Sequence, residues 1–190
     1  MIETQPKLSF AVLILGLAAA ASAIAADLKV PADYPTIQAA VNAAQTNDII
    51  RIAPGVYTNQ VQIISKKLTL IGQPGTILRA TKAMSSFQGD IGLLFPMMDI
   101  RSSDVTVRGL TFEGERLAGR FVAPGELKGI LSHKSSANVE NCAFYGFRES
   151  ALGAEYVDPI AVSNVDAKVL AGRCADYALG SAARPAHLSS

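Results

Sequence analysis

Between Val30 and Ala80 the apolar residues follow two rhythms in succession. Ile37, Ala40, Val41 and Ala44 stand at i, i+3, i+4 and i+7, the spacing that gathers side chains on one face of an α-helix. Gln38 and Asn42 lie off that stripe. Thr36 is placed as an N-cap, because its hydroxyl can accept from an orphan amide of the first turn. Pro35 discourages any earlier start. The predicted helix, about 36–45, is too short to stand alone in water. The open end of a stacked β structure would give it a surface, and the helix would cover exposed strand edges in return.

The second rhythm is alternation. Ile49-Ile50-Arg51-Ile52, Val61-Gln62-Ile63 and Leu68-Thr69-Leu70 each read as a short strand, with Pro54-Gly55 as a turn. One segment recurs: LTLIG at 68–72, VTVRG at 105–109, ANVEN at 137–141 and IAVSN at 160–164. Each copy ends in Gly72, Gly109, Asn141 or Asn164, the residue types that best tolerate a left-handed backbone. That shared position predicts a tight bend. Beyond it, LTFEG at 110–114 matches CAFYG at 142–146, with Leu110/Phe112 and Cys142/Phe144 inward and Thr111 and Ala143 outward.

Successive bends lie 37, 32 and 23 residues apart, within the range that signals a repeat array. Relative to the shortest spacing, the first two carry 14 and 9 additional residues, assigned to Thr81–Pro96 and Glu115–Leu127. Both would project from the same side, where insertions in a repeat array often wall a binding site. An antiparallel sandwich is the competing fold, but no Asn-Gly or Asp-Gly hairpin signal separates the strands. The reading is all-β: a right-handed parallel β-helix over 26–170 with a short N-terminal capping α-helix. After Val169 the alternation stops. Residues 171–190 read as an irregular tail, as expected either of a loose terminus or of a truncated chain.

Composition adds an address more than a chemistry. Leu8–Ala20 is apolar, Lys7 precedes it, and Ala21-Ser22-Ala23 and Ala23-Ile24-Ala25 fit small-x-small cleavage sites. Residues 1–25 therefore read as a signal peptide, which places the mature protein in the periplasm or outside the cell. The run is short for a membrane span and has no basic stop after it, so no membrane association is expected after cleavage. A net charge of +1 gives no electrostatic case for nucleic acid. Cys142 and Cys174 are the two cysteines. An oxidising compartment permits a disulfide between them, but the spacing matches no known framework.

VPADYPTIQAAVNAA, NDIIRIAPGVY and KKLTLIG together resemble the opening of pectin lyase-like parallel β-helix proteins. That superfamily includes pectin methylesterases, polysaccharide lyases and many secreted repeat proteins. The resemblance spans about 30–146 and implies fold more than activity. Gly55-Val56-Tyr57-Thr58-Asn59 lacks the acid of the esterase-like GxYxE pattern. Later Asp-rich esterase segments have no counterpart, and Tyr156-Val157-Asp158-Pro159 is a slight match to the DPHD motif of alginate-acting relatives. Copper-processing β-helix proteins share the opening, yet Met97, Met98, His133 and Cys142 make no metal cluster.

The resemblance implies a polysaccharide partner and a lyase or hydrolase relative. Elimination from a uronate needs a cation to neutralise the carboxylate and a base for the neighbouring proton. Arg101, Lys128 and His133 are the catalytic candidates, and Asp99, Glu113 and Arg116 the substrate-binding ones. No cofactor and no metal centre are implied, although Asp99 or Glu113 could offer oxygen ligands to Ca2+. The competing reading takes these residues as solvated outward side chains on a structural or adhesive envelope protein. A monomer is expected in either case.

Overall fold

The computed structural model describes residues 25–81, 83–89, 92–114, 125–147, 151–155 and 160–169. The predicted signal peptide, apart from Ala25, and the tail beyond Val169 lie outside them. Strand β1 (Asp27–Val30) and helix α1 (Ile37–Ala43) come first. Then strands follow in threes: β2 (Ile49–Ile52), β3 (Gly55–Tyr57) and β4 (Val61–Ile64); β5 (Lys67–Gly72), β6 (Thr76–Arg79) and, after a short β7 (Phe87–Gly89), β8 (Gly92–Arg101). The same order repeats in β9 (Asp104–Arg108), β10 (Thr111–Glu113) and β11 (Gly125–His133), and again in β12 (Ser136–Glu140), β13 (Ala143–Phe147) and β14 (Leu152–Glu155). Two strands of a further circuit, β15 (Ala161–Ser163) and β16 (Asp166–Val169), close the described chain.

Every circuit visits three sheets in the same order. The first sheet runs β1-β2-β5-β9-β12-β15, the second β3-β6-β10-β13-β16 and the third β4-β8-β11-β14. All neighbours are parallel except β7, which pairs antiparallel with β8. The fold is thus all-β with one helix among the described residues. The core lies between the sheets, since one residue in two along each strand points there. Leu68, Val105 and Ala137 stack in the first sheet, and Leu78, Phe112 and Phe144 in the second. The Phe112 and Phe144 rings lie stacked, 4.7 Å between centroids. Leu110 and Cys142 are buried as expected, and burial pushes the Cys142 thiol pKa up. Cys142 forms no disulfide; Cys174 lies outside the described residues.

The helix seals the first circuit by imitating the strand that would precede it. Thr36 caps it, its Oγ1 accepting from Ala39 N at 3.1 Å, while Ile37, Ala40 and Val41 face the core. The Gln38 carboxamide accepts from Gln62 N at 2.6 Å and donates to Gln62 O at 3.1 Å, as a paired peptide group would. At the other end, Lys66 Nζ donates to the carbonyls of Val41, Asn42 and Ala44 at 2.7, 3.2 and 2.7 Å. A cation there satisfies the last carbonyls and suits the negative end of the helix.

The four predicted bend residues form one column at the corner between the first and second sheets. Gly109, Asn141 and Asn164 are left-handed, with φ of 68°, 52° and 49°. Gly72 is not, which corrects the reading of that position. Glycine is required there by space: an added Cβ would stand 2.7 Å from Gly109 O and 2.5 Å from Leu110 Cδ2. Reciprocally, a Cβ on Gly109 would meet Gly72 O at 2.5 Å. One level further on, the Asn164 carboxamide donates to that of Asn141.

Gly109→Ala adds both a clash and an unfavourable φ. It should cost about 2 kcal/mol or more, whereas Asn141→Gly keeps the backbone and should cost under about 1 kcal/mol. Urea unfolding midpoints of the two variants compare them directly; equal midpoints would contradict the close corner contact.

Candidate functional site

Most outward charges on the first two sheets pair with the neighbouring strand. Arg51 bonds Asp27 at 2.6 Å, Arg79 bonds Glu113 at 2.8 Å and Arg108 bonds Glu140 at 2.6 Å. The outer face of the third sheet is different, because it buries its polar groups. Asp99 on β8 is 1% exposed and Lys128 on β11 is 3% exposed. Residues at such depth are seldom charged unless they are partnered.

Asp99 is held by its own strand. Arg101, two residues on and therefore on the same face, donates Nε to Asp99 Oδ1 at 3.0 Å and Nη2 to Oδ2. The result is a two-pronged carboxylate–guanidinium pair, which fixes the guanidinium plane. One face of that plane lies over Phe87 of β7, with Cζ 4.7 Å from the ring centroid, within cation–π range. The Phe87 ring also meets His133 of β11 edge to face at 5.2 Å. His133 stands directly across from Arg101 in the strand register, and its Nδ1 is shielded from solvent.

Lys128 approaches from the same direction. Its Cδ and Cε lie 3.7 Å from where a Cβ on Gly153 would be, and Leu131 Cδ1 lies 3.1 Å from that point. The bare backbone at Gly153 therefore leaves room for Leu131 and for the apolar stem of Lys128. Leu94 and Leu131 are buried here without belonging to the central core. Beside the site, across from Arg101, Ile64 is 52% exposed.

Of the predicted residues, Asp99, Arg101, Lys128 and His133 thus converge on one face. Glu113 does not join them. It lies on the second sheet in its pair with Arg79, because β10 and β8 belong to different walls of the stack. Arg116 lies outside the described residues. Sequence reasoning missed Phe87, which sits in the first insertion without a repeat partner; an aromatic flanked by Ser85-Ser86 and Gln88 was the available signal.

A shallow groove of about 890 Å³ runs beside this face, at the corner between the third and first sheets. Lys66, Lys67 and Lys134 line it. Lys66 is bound to three helix carbonyls, and Lys67 pairs with Asp104 at 3.1 Å, so most of its positive charge is committed. Among the described residues no group of three or more His, Cys, Asp or Glu could hold a metal ion. The Ca2+ reading would leave Asp99 competing with Arg101. Comparisons with protein-family models, curated proteins and solved structures found no match for this chain.

Removing one member of the Asp99–Arg101 pair leaves a buried charge behind. Arg101→Met should destabilise by about 3 kcal/mol. Adding Asp99→Leu should recover much of that loss, as read from urea unfolding of the single and double variants.

Proposed function

We propose that this chain is an exported right-handed parallel β-helix of the pectin lyase-like kind, and that it binds acidic polysaccharide on the outer face of its third sheet. The fold part of this reading draws on the unbroken rotation through three parallel sheets. Each connection between successive strands of one sheet is a parallel crossover, and such crossovers are overwhelmingly right-handed. The opening residues VPADYPTIQAAVNAA support the same family. The cleavable leader predicted at 1–25 supports a periplasmic or extracellular glycan as partner.

The observation that carries the functional reading is that Arg101 and His133 meet at Phe87 on the outer face that also carries Lys128. The Arg101 guanidinium suits a carboxylate-bearing sugar, and an aromatic ring suits the apolar face of a pyranose. Binding is favoured over elimination. Arg101 already gives two donors to Asp99, so neither residue is poised as the base that lyase chemistry requires.

A second reading, a non-catalytic structural or adhesive stack, is favoured by the cross-strand pairs on the other two walls. Those pairs lock neighbouring strands and leave little charge for a ligand. The two readings separate in one titration. Under the binding reading the mature protein binds polygalacturonate or alginate and ignores neutral dextran. Arg101→Ala then weakens binding about tenfold or more, and added salt weakens it further. A structural stack binds neither polymer. Absorbance of an unsaturated product, followed in the same samples, reports any elimination; a protein that binds without chemistry gives none.

A further inference from the structure

Asp48 is a buried carboxylate that the binding surface does not use. It lies between α1 and β2 and is 5% exposed. Its Oδ2 accepts from Gln45 N and its Oδ1 from Ala26 N, both at 2.7 Å. In the unbroken chain both donors are neutral main-chain amides. No ion pair among the described residues includes Asp48. Arg51, three residues on, pairs with Asp27. Lys67, whose carbonyl accepts from Asn47 N, pairs with Asp104. An acid at such depth is seldom left without a cation.

Ala26 is where the described chain first makes hydrogen bonds. Its N–H goes to Asp48, and its carbonyl accepts from Ile49 N at 2.9 Å. The backbone of Asp48 is itself fixed, since its N–H donates to Gln45 O at 3.2 Å and its carbonyl accepts from Thr69 N at 3.1 Å. One carboxylate therefore joins the start of β1 to the loop after α1 and to the first sheet. The same Ala26 nitrogen directly follows Ala23-Ile24-Ala25, a small-x-small sequence of the kind cut in exported proteins. A cut after Ala23 would leave that nitrogen an amide.

We propose that the chain is processed between Ala25 and Ala26, and that the amino terminus freed there is the counter-ion of Asp48. The inference rests on the reading of the chain as an exported protein. A leader peptidase hydrolyses the Ala25–Ala26 bond with one water. The hydroxyl of that water goes to the Ala25 carbonyl carbon and its remaining hydrogen to the Ala26 nitrogen. Near pH 7 the new amine takes up a further proton, as α-amino groups do. The ammonium then stands where the amide stood, 2.7 Å from Asp48 Oδ1. A hydrogen bond from a neutral donor becomes an ion pair with a hydrogen bond inside it. Ala26 is exposed, so water can take the other two ammonium donors. Cleavage thus fastens β1 to β2 and to the loop after α1, and the precursor, with an amide at that place, holds its first strand less tightly.

Expression of the full chain in a bacterial host, with the intact mass of the product, reads the cleavage site. The exported protein should begin at Ala26. A start at Ile24 overturns the Ala26 site and leaves export standing. A product that keeps residues 1–25 overturns the processing step and the exported reading together. The ion pair is read separately, on chains beginning at Ala26 with a free amine or with an Nα-acetyl cap that restores the amide. Acetylation should speed hydrogen exchange of the Ile49 amide, which bonds Ala26 O, about fivefold. In the Asp48→Asn background the same cap should change exchange by less than about twofold, because the carboxamide carries no charge. Equal exchange in the free and acetylated chains with Asp48 intact overturns the pair, whether or not the variant folds. An equally large effect of the cap in Asp48→Asn overturns it too.

Discussion

Where Gly72 and Gly109 meet, the backbones approach so closely that a single added carbon would sit 2.5 Å from a carbonyl oxygen. That contact sets the pitch of the whole stack. If one circuit lies directly over the last at this corner, the strands on either side are delivered in register, Leu70 against Val107 and Leu78 against Phe112. Because strand side chains alternate, a slip of one residue would turn every core residue outward. Register therefore cannot drift. The corner glycines, the left-handed asparagines after them and the hydrogen bond from the Asn164 carboxamide to that of Asn141 all serve that one alignment.

A second corner, between the third and first sheets, solves the same problem with different atoms. Ser65, Ser102 and Lys134 are left-handed there, with φ of 53°, 48° and 48°. No glycine relieves the strain. Hydroxyls inside the bend hold it instead. Ser103 Oγ accepts from Lys66 N at 3.1 Å and donates to Arg101 O at 2.7 Å. One level up, Ser135 Oγ accepts from Ser103 N at 3.1 Å and donates to His133 O at 2.7 Å. Each serine thus bridges two circuits. Because a hydroxyl both donates and accepts, buried at 7% and 6% exposure it replaces a water that could not enter.

These two corners also explain what could be read from the residues. The first was visible because its solution is confined to two residue types, and Gly72, Gly109, Asn141 and Asn164 stand out in a chain of β-branched and apolar neighbours. Even so, the reason assigned to Gly72 was conformational when its cause is space. The second corner carries no comparable mark, since serine is common in turns for many reasons. Asp99, Arg101, Lys128 and His133 were found by the chemistry their side chains allow. Glu113 entered by the same logic and falls on another wall, because sequence spacing fixes a residue's place along a strand but not which sheet receives it once insertions intervene.

The insertions deserve their cost because of where they enter. A stack of uniform circuits has outer walls of half-exposed side chains, and polar groups on such walls are wet and interchangeable. Salt bridges there contribute little, typically under about 1 kcal/mol. Lengthening the strands of one sheet, and laying Phe87 of β7 against Arg101 and His133, changes the medium on that wall. Asp99 and Arg101 then interact at lower effective dielectric than Arg51 and Asp27, which are both 44% exposed. Water is excluded without any change to the core, since the central stack of Leu78, Phe112 and Phe144 continues beneath. The repeat supplies rigidity, and its interruption supplies a face where a buried carboxylate holds a guanidinium in a fixed orientation.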